Sequence, residues 1–198
     1  MSLPNSEFAP ANPTDSRKPG EWQSKYTDPH AQRGIRTEAI YLAILLLTAP
    51  LAIVILWLEY PKHWFGLTDD KYRPLFTYAV AWASGMLGGT LFDIKWLYHS
   101  VAKQTWHLDR RLWRLFTPHI SGGLAFAVTA LISSGILRFF DPRAVQSPSL
   151  VVGVAFLVGY FSDSTAAKLA EIAETLFGTS RSDGNKDNRK HNLPVAPE

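Results

Sequence analysis

The chain has 198 residues, of which 46% are apolar, and its 20 basic and 17 acidic residues give a net charge of +3. An excess this small and this scattered does not indicate a nucleic-acid-binding surface. The absence of cysteine excludes disulfide bonds, thiolate zinc sites and a cysteine nucleophile. These averages conceal an uneven distribution, because two polar ends enclose a middle region with long uncharged stretches.

The two ends of the chain are predicted to be disordered cytosolic tails. Residues 1–38 and 179–198 are polar, rich in Pro, Ser, Asn and charge, and contain almost no run that could bury an apolar face. The first apolar run begins at Ala39, which is too far along the chain for a cleaved signal peptide. We therefore expect this run to remain in the mature protein.

Apolar segments between these tails predict four transmembrane helices, near residues 39–60, 75–94, 118–137 and 148–163. A helix of ~20 residues crosses a hydrocarbon core of roughly 30 Å, and a chain this short could not surround such helices in a soluble protein. The fourth segment is the shortest, and by itself it would better suit a re-entrant or buried helix. Pro50 should kink the first helix. The predicted fold is all-α and polytopic.

Basic residues orient the predicted helices. From Lys25 onward, thirteen Lys and Arg residues fall in the segment before the first span, the central loop and the C-terminal region, against five in the other two loops. Basic residues are enriched in the cytoplasmic loops of membrane proteins. Both termini and the central loop are therefore predicted to lie in the cytosol.

The central loop, residues 93–119, predicts a helical hairpin on the cytosolic side. Asp109 is expected to be the N-cap of the second helix, which would begin near Arg110. Basic side chains in this loop would either anchor the protein at lipid headgroups or form a docking surface for a cytosolic protein or an anionic ligand. These candidate contacts are Lys103, Arg110, Arg111 and Arg114.

Residues 164–178 predict a cytosolic amphipathic helix that ends at Gly178. Its apolar residues recur with helical spacing at Leu169, Ile172, Ala173 and Leu176. The polar face carries two acids and one base, which does not suit a helix lying on anionic lipid. The apolar stripe is therefore expected to pack on the hairpin or on the same helix of another subunit.

Small residues recur at four-residue spacing in the second and fourth predicted helices. They are Ala81, Gly85 and Gly89 in the second, and Ala155 and Gly159 in the fourth. Rows of this kind allow close approach of helices in lipid. They predict either packing within one subunit or association of subunits, and four short spans with little between them favour a homo-oligomer.

Three ionisable residues form the one candidate functional cluster: Asp93, His119 and Asp163. The predicted topology places all three near the cytosolic leaflet, where two carboxylates and an imidazole could bind a cation or relay a proton. In the alternative interpretation each residue lies in the interface. Asp93 would then pair with Lys95, Asp163 would cap the following helix, and His119 would meet headgroups.

Signatures of common enzymes are absent from the sequence, since there is no Walker loop, dinucleotide-binding glycine motif, GxSxG elbow or HExxH motif. No cofactor or metal site is predicted. The leading hypothesis is a non-enzymatic, oligomeric membrane protein that acts as an anchor, sensor or pore component and engages a cytosolic protein partner. The alternative is an ion or proton transport element that uses the Asp and His residues.

Two stretches carry a resemblance to a family: "GMLGGTLFDIKWLYHSVAKQTWHLDRRLWRLFTPHISGGLAFAV" and "FLVGYFSDSTAAKLAEIAETLFG". They resemble small uncharacterised bacterial multi-span membrane proteins with a C-terminal GxFSDxxxxKLxEIAExLF-type motif. The resemblance covers roughly residues 85–178. It implies a bacterial inner-membrane protein, and it carries no activity and no catalytic residue with it.

Overall fold

The computed structural model describes residues 24–137 and 147–178. The helices are α1 (Pro29–Trp57), α2 (Tyr60–Phe65), α3 (Asp69–Ala102), α4 (Arg111–Ser133), α5 (Pro148–Tyr160) and α6 (Ser162–Phe177). A 3-10 turn, Leu108–Arg110, precedes α4. Within these described ranges the fold is all-helical, without strands.

Three helical stretches are long and apolar enough to cross a membrane: α1, α3, and α4 together with its preceding turn. The fourth predicted span is different. Helix α5 has only 13 residues, and it qualifies as a span only when it is joined to α6 across the break at Phe161. The structure thus offers three crossings, or four if α5 and α6 form one broken span.

Helix α1 begins at Pro29, ten residues before the predicted span and inside the region predicted to be disordered. The side chain of Asp28 accepts a hydrogen bond of 2.9 Å from the backbone N–H of His30, and proline follows at the first helical position, where it needs no donor. Gly34 and Glu38 are buried on this extension. A buried glutamate gives no apolar signal, which is why the sequence pattern missed this part of the helix.

Helix α4 begins next to the predicted position, but its N-cap is Arg110, without a side-chain capping bond. The prediction that Asp109 caps this helix is wrong. Asp109 lies inside the 3-10 turn, whose own N-cap residue is His107. The turn places the Asp109 side chain one residue too early to accept from the first N–H groups of α4.

Helix α3 is the centre of the first compact unit, which ends at Ser162, because it packs against α1, α4 and α5. Two buried apolar clusters lie along it. One contains Val80, Ala81, Ala125, Val151 and Ala155, and we call it the Val80 cluster. The other contains Leu42, Leu97 and Trp106, and we call it the Leu42 cluster.

The predicted small-residue rows lie at contacts within this unit. A Cβ atom on Gly159 would lie 2.0 Å from the carbonyl oxygen of Gly85, and one on Gly85 would lie 2.4 Å from the Cβ of Ala125. A Cβ on Gly89 would lie 2.4 Å from the hydroxyl of Ser121. Ala81 and Ala155 are buried in the Val80 cluster. The structure therefore uses these residues for packing inside one chain.

The second unit contains nearly all of α6. An exposed ion pair of 2.8 Å joins Lys168 to Glu171, one turn apart on this helix. Gly178 follows the helix with φ of 63°, the left-handed conformation that glycine adopts without a steric penalty.

Candidate functional site

A buried ion pair joins α1 to α4 at the end of the first unit where α1 begins, α3 ends and α4 begins, which we call the Trp106 end. Nε of Arg114 lies 2.7 Å from Oε2 of Glu38, and Nη2 donates to Oε1 at 3.2 Å. The two residues are 3% and 1% exposed. This bidentate geometry is the strongest form of a carboxylate–guanidinium contact.

Trp106 completes the polar environment of Glu38. Its indole N–H donates to Oε2 of Glu38 at 3.1 Å, and the Arg114 guanidinium carbon lies 5.8 Å from the centre of the indole ring. The ring packs so closely on α1 that a Cβ on Gly34 would lie 2.8 Å from it. Arg114 also donates to the backbone carbonyl of His107 at 3.3 Å. The carboxylate of Glu38 is therefore held by three N–H donors.

Tyr26 attaches the segment before α1 to the same end. Its hydroxyl accepts from the backbone N–H of Trp106 at 3.2 Å and donates to the carbonyl of Ser100 at 3.5 Å. The rings of Tyr26 and Trp106 meet edge to face with centroids 6.2 Å apart. The predicted disordered tail thus contributes an aromatic side chain to the core of the Trp106 end.

Tyr41 contacts His119, one of the residues in the predicted Asp and His cluster. Its hydroxyl donates to the carbonyl of Leu115 at 2.9 Å and lies 2.9 Å from Nε2 of His119. A phenol has one hydrogen, so while it points to Leu115, His119 must donate from Nε2 to the phenol oxygen. Asp93 is fully buried on α3.

The three predicted cluster residues therefore have different environments. His119 is exposed and bonded to Tyr41, and Asp93 is fully buried on α3. Asp163 is exposed in the first turn of α6 and belongs to the second unit. The sequence pattern identified Asp93 and His119, and it missed Tyr41, because one tyrosine in an apolar run looks like a packing residue.

The four basic residues that were predicted to contact headgroups or a partner also lie in different environments. Lys103 and Arg110 are exposed, and Arg111 is partly buried. Arg114 is buried in the ion pair with Glu38, so it is not the exposed surface cation that the sequence suggested. The physical reason is the carboxylate of Glu38, which lies 76 positions earlier in the sequence and compensates the buried charge.

A metal centre has no basis in the described ranges, where no group of three or more His, Cys, Asp or Glu side chains could hold an ion. No protein-family model matches the sequence, and comparison with curated proteins and with solved structures finds no similar chain. A function for this chain is therefore argued from its own geometry.

Proposed function

We propose that the chain is an integral protein of the bacterial inner membrane with both termini in the cytosol. An exposed apolar stripe on α1 and its C-cap residue Leu58 supports insertion: Ile40, Ile44, Leu47, Leu51, Val54 and Leu58 are each more than half exposed. Their spacing of three or four residues makes one continuous face. In water this face would be a large unfavourable patch, whereas in a bilayer it contacts lipid tails.

Within that membrane protein, we propose a proton-responsive role for Asp93, Tyr41 and His119. The observation that carries it is the 2.9 Å contact between the Tyr41 hydroxyl and His119, in a helical unit that also buries the carboxylate of Asp93. Histidine is the side chain whose charge ordinarily changes near neutral pH. A buried carboxylate is costly as an anion in an apolar environment, so a change in its protonation alters helix packing.

The proposed proton relay would use the ability of the Tyr41 hydroxyl to accept one hydrogen bond while it donates another. In the doubly protonated form of His119, the Nε2 proton would pass to the phenol oxygen of Tyr41, while the phenol hydrogen turns from the carbonyl of Leu115 toward the carboxylate of Asp93. His119, whose ring is exposed, would then regain a proton from water at the headgroup level of the cytosolic side. The net change is one proton gained by Asp93 and one taken from solvent.

The Glu38–Arg114 ion pair would position this relay. Glu38 and Tyr41 are three residues apart on α1, and Arg114 directly precedes the Leu115 whose carbonyl accepts from Tyr41. Residues three apart lie on neighbouring positions of one helix face. The ion pair therefore holds α1 against α4 at the level where the Tyr41 hydroxyl meets His119.

Transport would further require an opening at the opposite end of the unit. A cavity of about 800 Å³ lies there, between the end of α1 and the beginnings of α3 and α5. Trp57, Arg73, Thr77 and Ser133 are among its lining residues. The transport alternative would use this cavity as its second opening, whereas a sensor needs only Asp93, Tyr41 and His119.

The leading hypothesis from the sequence, an oligomeric anchor, sensor or pore component that engages a cytosolic partner, stays a prediction. The small residues that suggested subunit contacts are occupied by packing inside one chain. That packing removes one argument for a homo-oligomer. The exposed cations Lys103 and Arg110 leave a charged surface on which a cytosolic partner could dock.

Proton flux into proteoliposomes that contain a trapped pH-sensitive dye tests the proposal, with Asp93→Asn as the variant. Asp163→Asn is the matched control, because it removes the same charge from an exposed position on α6. Flux that is lost only in Asp93→Asn supports transport. A pH-dependent change in tryptophan fluorescence that is lost only in Asp93→Asn, without flux, supports a sensor. If Asp93→Asn changes neither quantity, the proton-responsive role is rejected.

A further inference from the structure

A second, smaller cavity lies at the Trp106 end, between the last turns of α3 and the first turn of α4. Its volume is about 270 Å³. The residues that line it are Trp96, Ser100, Arg110, Trp113 and Arg114. The lining of this cavity therefore combines two guanidinium groups with two indole rings.

The arginines provide donors of the right kind for an anion. The bonds of Arg114 to Glu38 and His107 use Nε and Nη2, that is, three of its five N–H groups. The two hydrogens of Nη1 are left on the side of the guanidinium away from these partners. Arg110 is exposed at the start of α4. Planar guanidinium groups match phosphate oxygens better than ammonium groups do.

The indole rings indicate what carries the phosphate. Trp96 and Trp113 are 48% and 45% exposed, as expected for rings at the level of lipid headgroups. Phe92 contacts both of them, with centroid distances of 6.3 and 6.5 Å. The apolar wall therefore continues from the cavity along α3 toward the middle of the helix. A free phosphate ion would gain nothing from contact with these aromatic rings, whereas an acyl chain would pack against them.

We infer that this cavity binds the headgroup phosphate of one anionic phospholipid. Arg110 and Arg114 donate to the phosphate oxygens, the two tryptophans flank the glycerol region, and an acyl chain follows Phe92. Exposed Lys103 and partly buried Arg111 add positive charge near these residues in the sequence, where Asp109 is an exposed acid. The inference rests on the proposed insertion in a membrane, with the Trp106 end at the headgroup level.

Lipid binding would also affect the Glu38–Arg114 ion pair, because Arg114 belongs both to this pair and to the cavity lining. A phosphate on Nη1 would restrain the guanidinium that holds Glu38, so the lipid would stabilise the contact between α1 and α4. This coupling gives the headgroup a structural effect that general attraction to an anionic surface does not have.

The test is a titration of the delipidated, detergent-solubilised full chain with phosphatidylglycerol, followed by native mass spectrometry. Arg110→Gln is expected to weaken binding about tenfold, since it removes a charge-assisted contact with the phosphate. Lys103→Gln is the matched control, because it removes the same charge from an exposed residue that does not line the cavity, and less than about twofold weakening is expected.

Two further arms identify the source of the phosphate. Phosphatidylcholine should bind more weakly than phosphatidylglycerol, and inorganic phosphate at the same concentration should not displace the lipid. Equal weakening by Arg110→Gln and Lys103→Gln, or displacement by inorganic phosphate, would overturn the inference. The measurement involves no pH change and no proton gradient, so its failure would leave the role of Asp93 standing.

Discussion

The two apolar clusters along α3 are held together by different physical means. Around Val80 the helices meet through glycine and alanine, and backbone atoms of α3 and α5 approach so closely that no side chain fits between them. Around Leu42 the contacts are made by large side chains, and a buried ion pair with an indole donor crosses from α1 to α4. The contacts around the Val80 cluster depend on glycines that leave room for close approach, and those around the Leu42 cluster depend on charged side chains.

Because of this difference, the steric and the electrostatic contributions to the stability of one helical unit can be measured separately. The Val80 cluster should tolerate loss of charge anywhere nearby, and it should fail when atoms are added. The Leu42 cluster should tolerate modest changes in volume, and it should fail when one partner of the ion pair is removed. The following substitutions test this separation.

Removing the carboxylate should have the largest effect. Glu38→Ala leaves the Arg114 guanidinium buried without its anion, and we expect the free energy of unfolding in detergent to fall by about 3–5 kcal/mol. Glu171→Ala, which breaks an exposed pair on α6, is the control and should change little. The double variant Glu38→Ala/Arg114→Ala should cost clearly less than the sum of the single variants. An additive double variant would show that the ion pair is not a coupled unit.

Adding a side chain to the closest helix contact should have the next largest effect. In Gly159→Val the new Cβ would meet the carbonyl oxygen of Gly85 at 2.0 Å, and we expect a loss of about 3 kcal/mol as α5 moves away from α3. Gly153→Ala, on the same helix with open space beside it, should leave the unfolding transition unchanged. A tolerated Gly159→Val would mean that α5 does not pack on α3 as described.

Replacing the indole donor tests the Leu42 cluster with a small change in volume. Trp106→Phe removes the hydrogen bond to Glu38 but keeps an aromatic ring against α1, and we expect a loss of about 1.5 kcal/mol in thermal unfolding. In the Glu38→Gln background the same substitution should cost less, because the acceptor is no longer charged. An unchanged cost in that background would assign the effect to packing alone.

The surface ion pairs of Lys62 should contribute least. Its ammonium group lies 2.9 Å from Glu59 and 2.5 Å from Asp69, and hydrogen bonds to Asp69 and then to Glu59 hold the pKa of Lys62 above its ordinary value of 10.5. Any stabilisation is therefore present below pH 10.5 and is lost as the pH rises through the raised pKa. Lys62→Gln should leave the unfolding midpoint at pH 7 unchanged, and a large shift would show that this pair is shielded from solvent.

The sequence predicted the features that local patterns encode. The uncharged runs indicated helices α1, α3 and α4, and the spacing of Gly85 and Gly89 indicated a face for close packing. The Glu38–Arg114 pair could not be found this way, since its members are 76 residues apart and each looks like a solvent-exposed charge. Tyr41 was missed for the same reason, because its hydroxyl partner His119 lies 78 positions away.

The proton-responsive role of Asp93 is tested most directly by infrared difference spectroscopy of the full chain in lipid, between acidic and alkaline pH. We predict a pH-dependent carboxylic-acid C=O band that persists in Asp163→Asn, disappears in Asp93→Asn, and forms more slowly after a pH jump in Tyr41→Phe. If Asp93→Asn retains every band of the unmodified chain, Asp93 does not exchange a proton and the proposed role is contradicted.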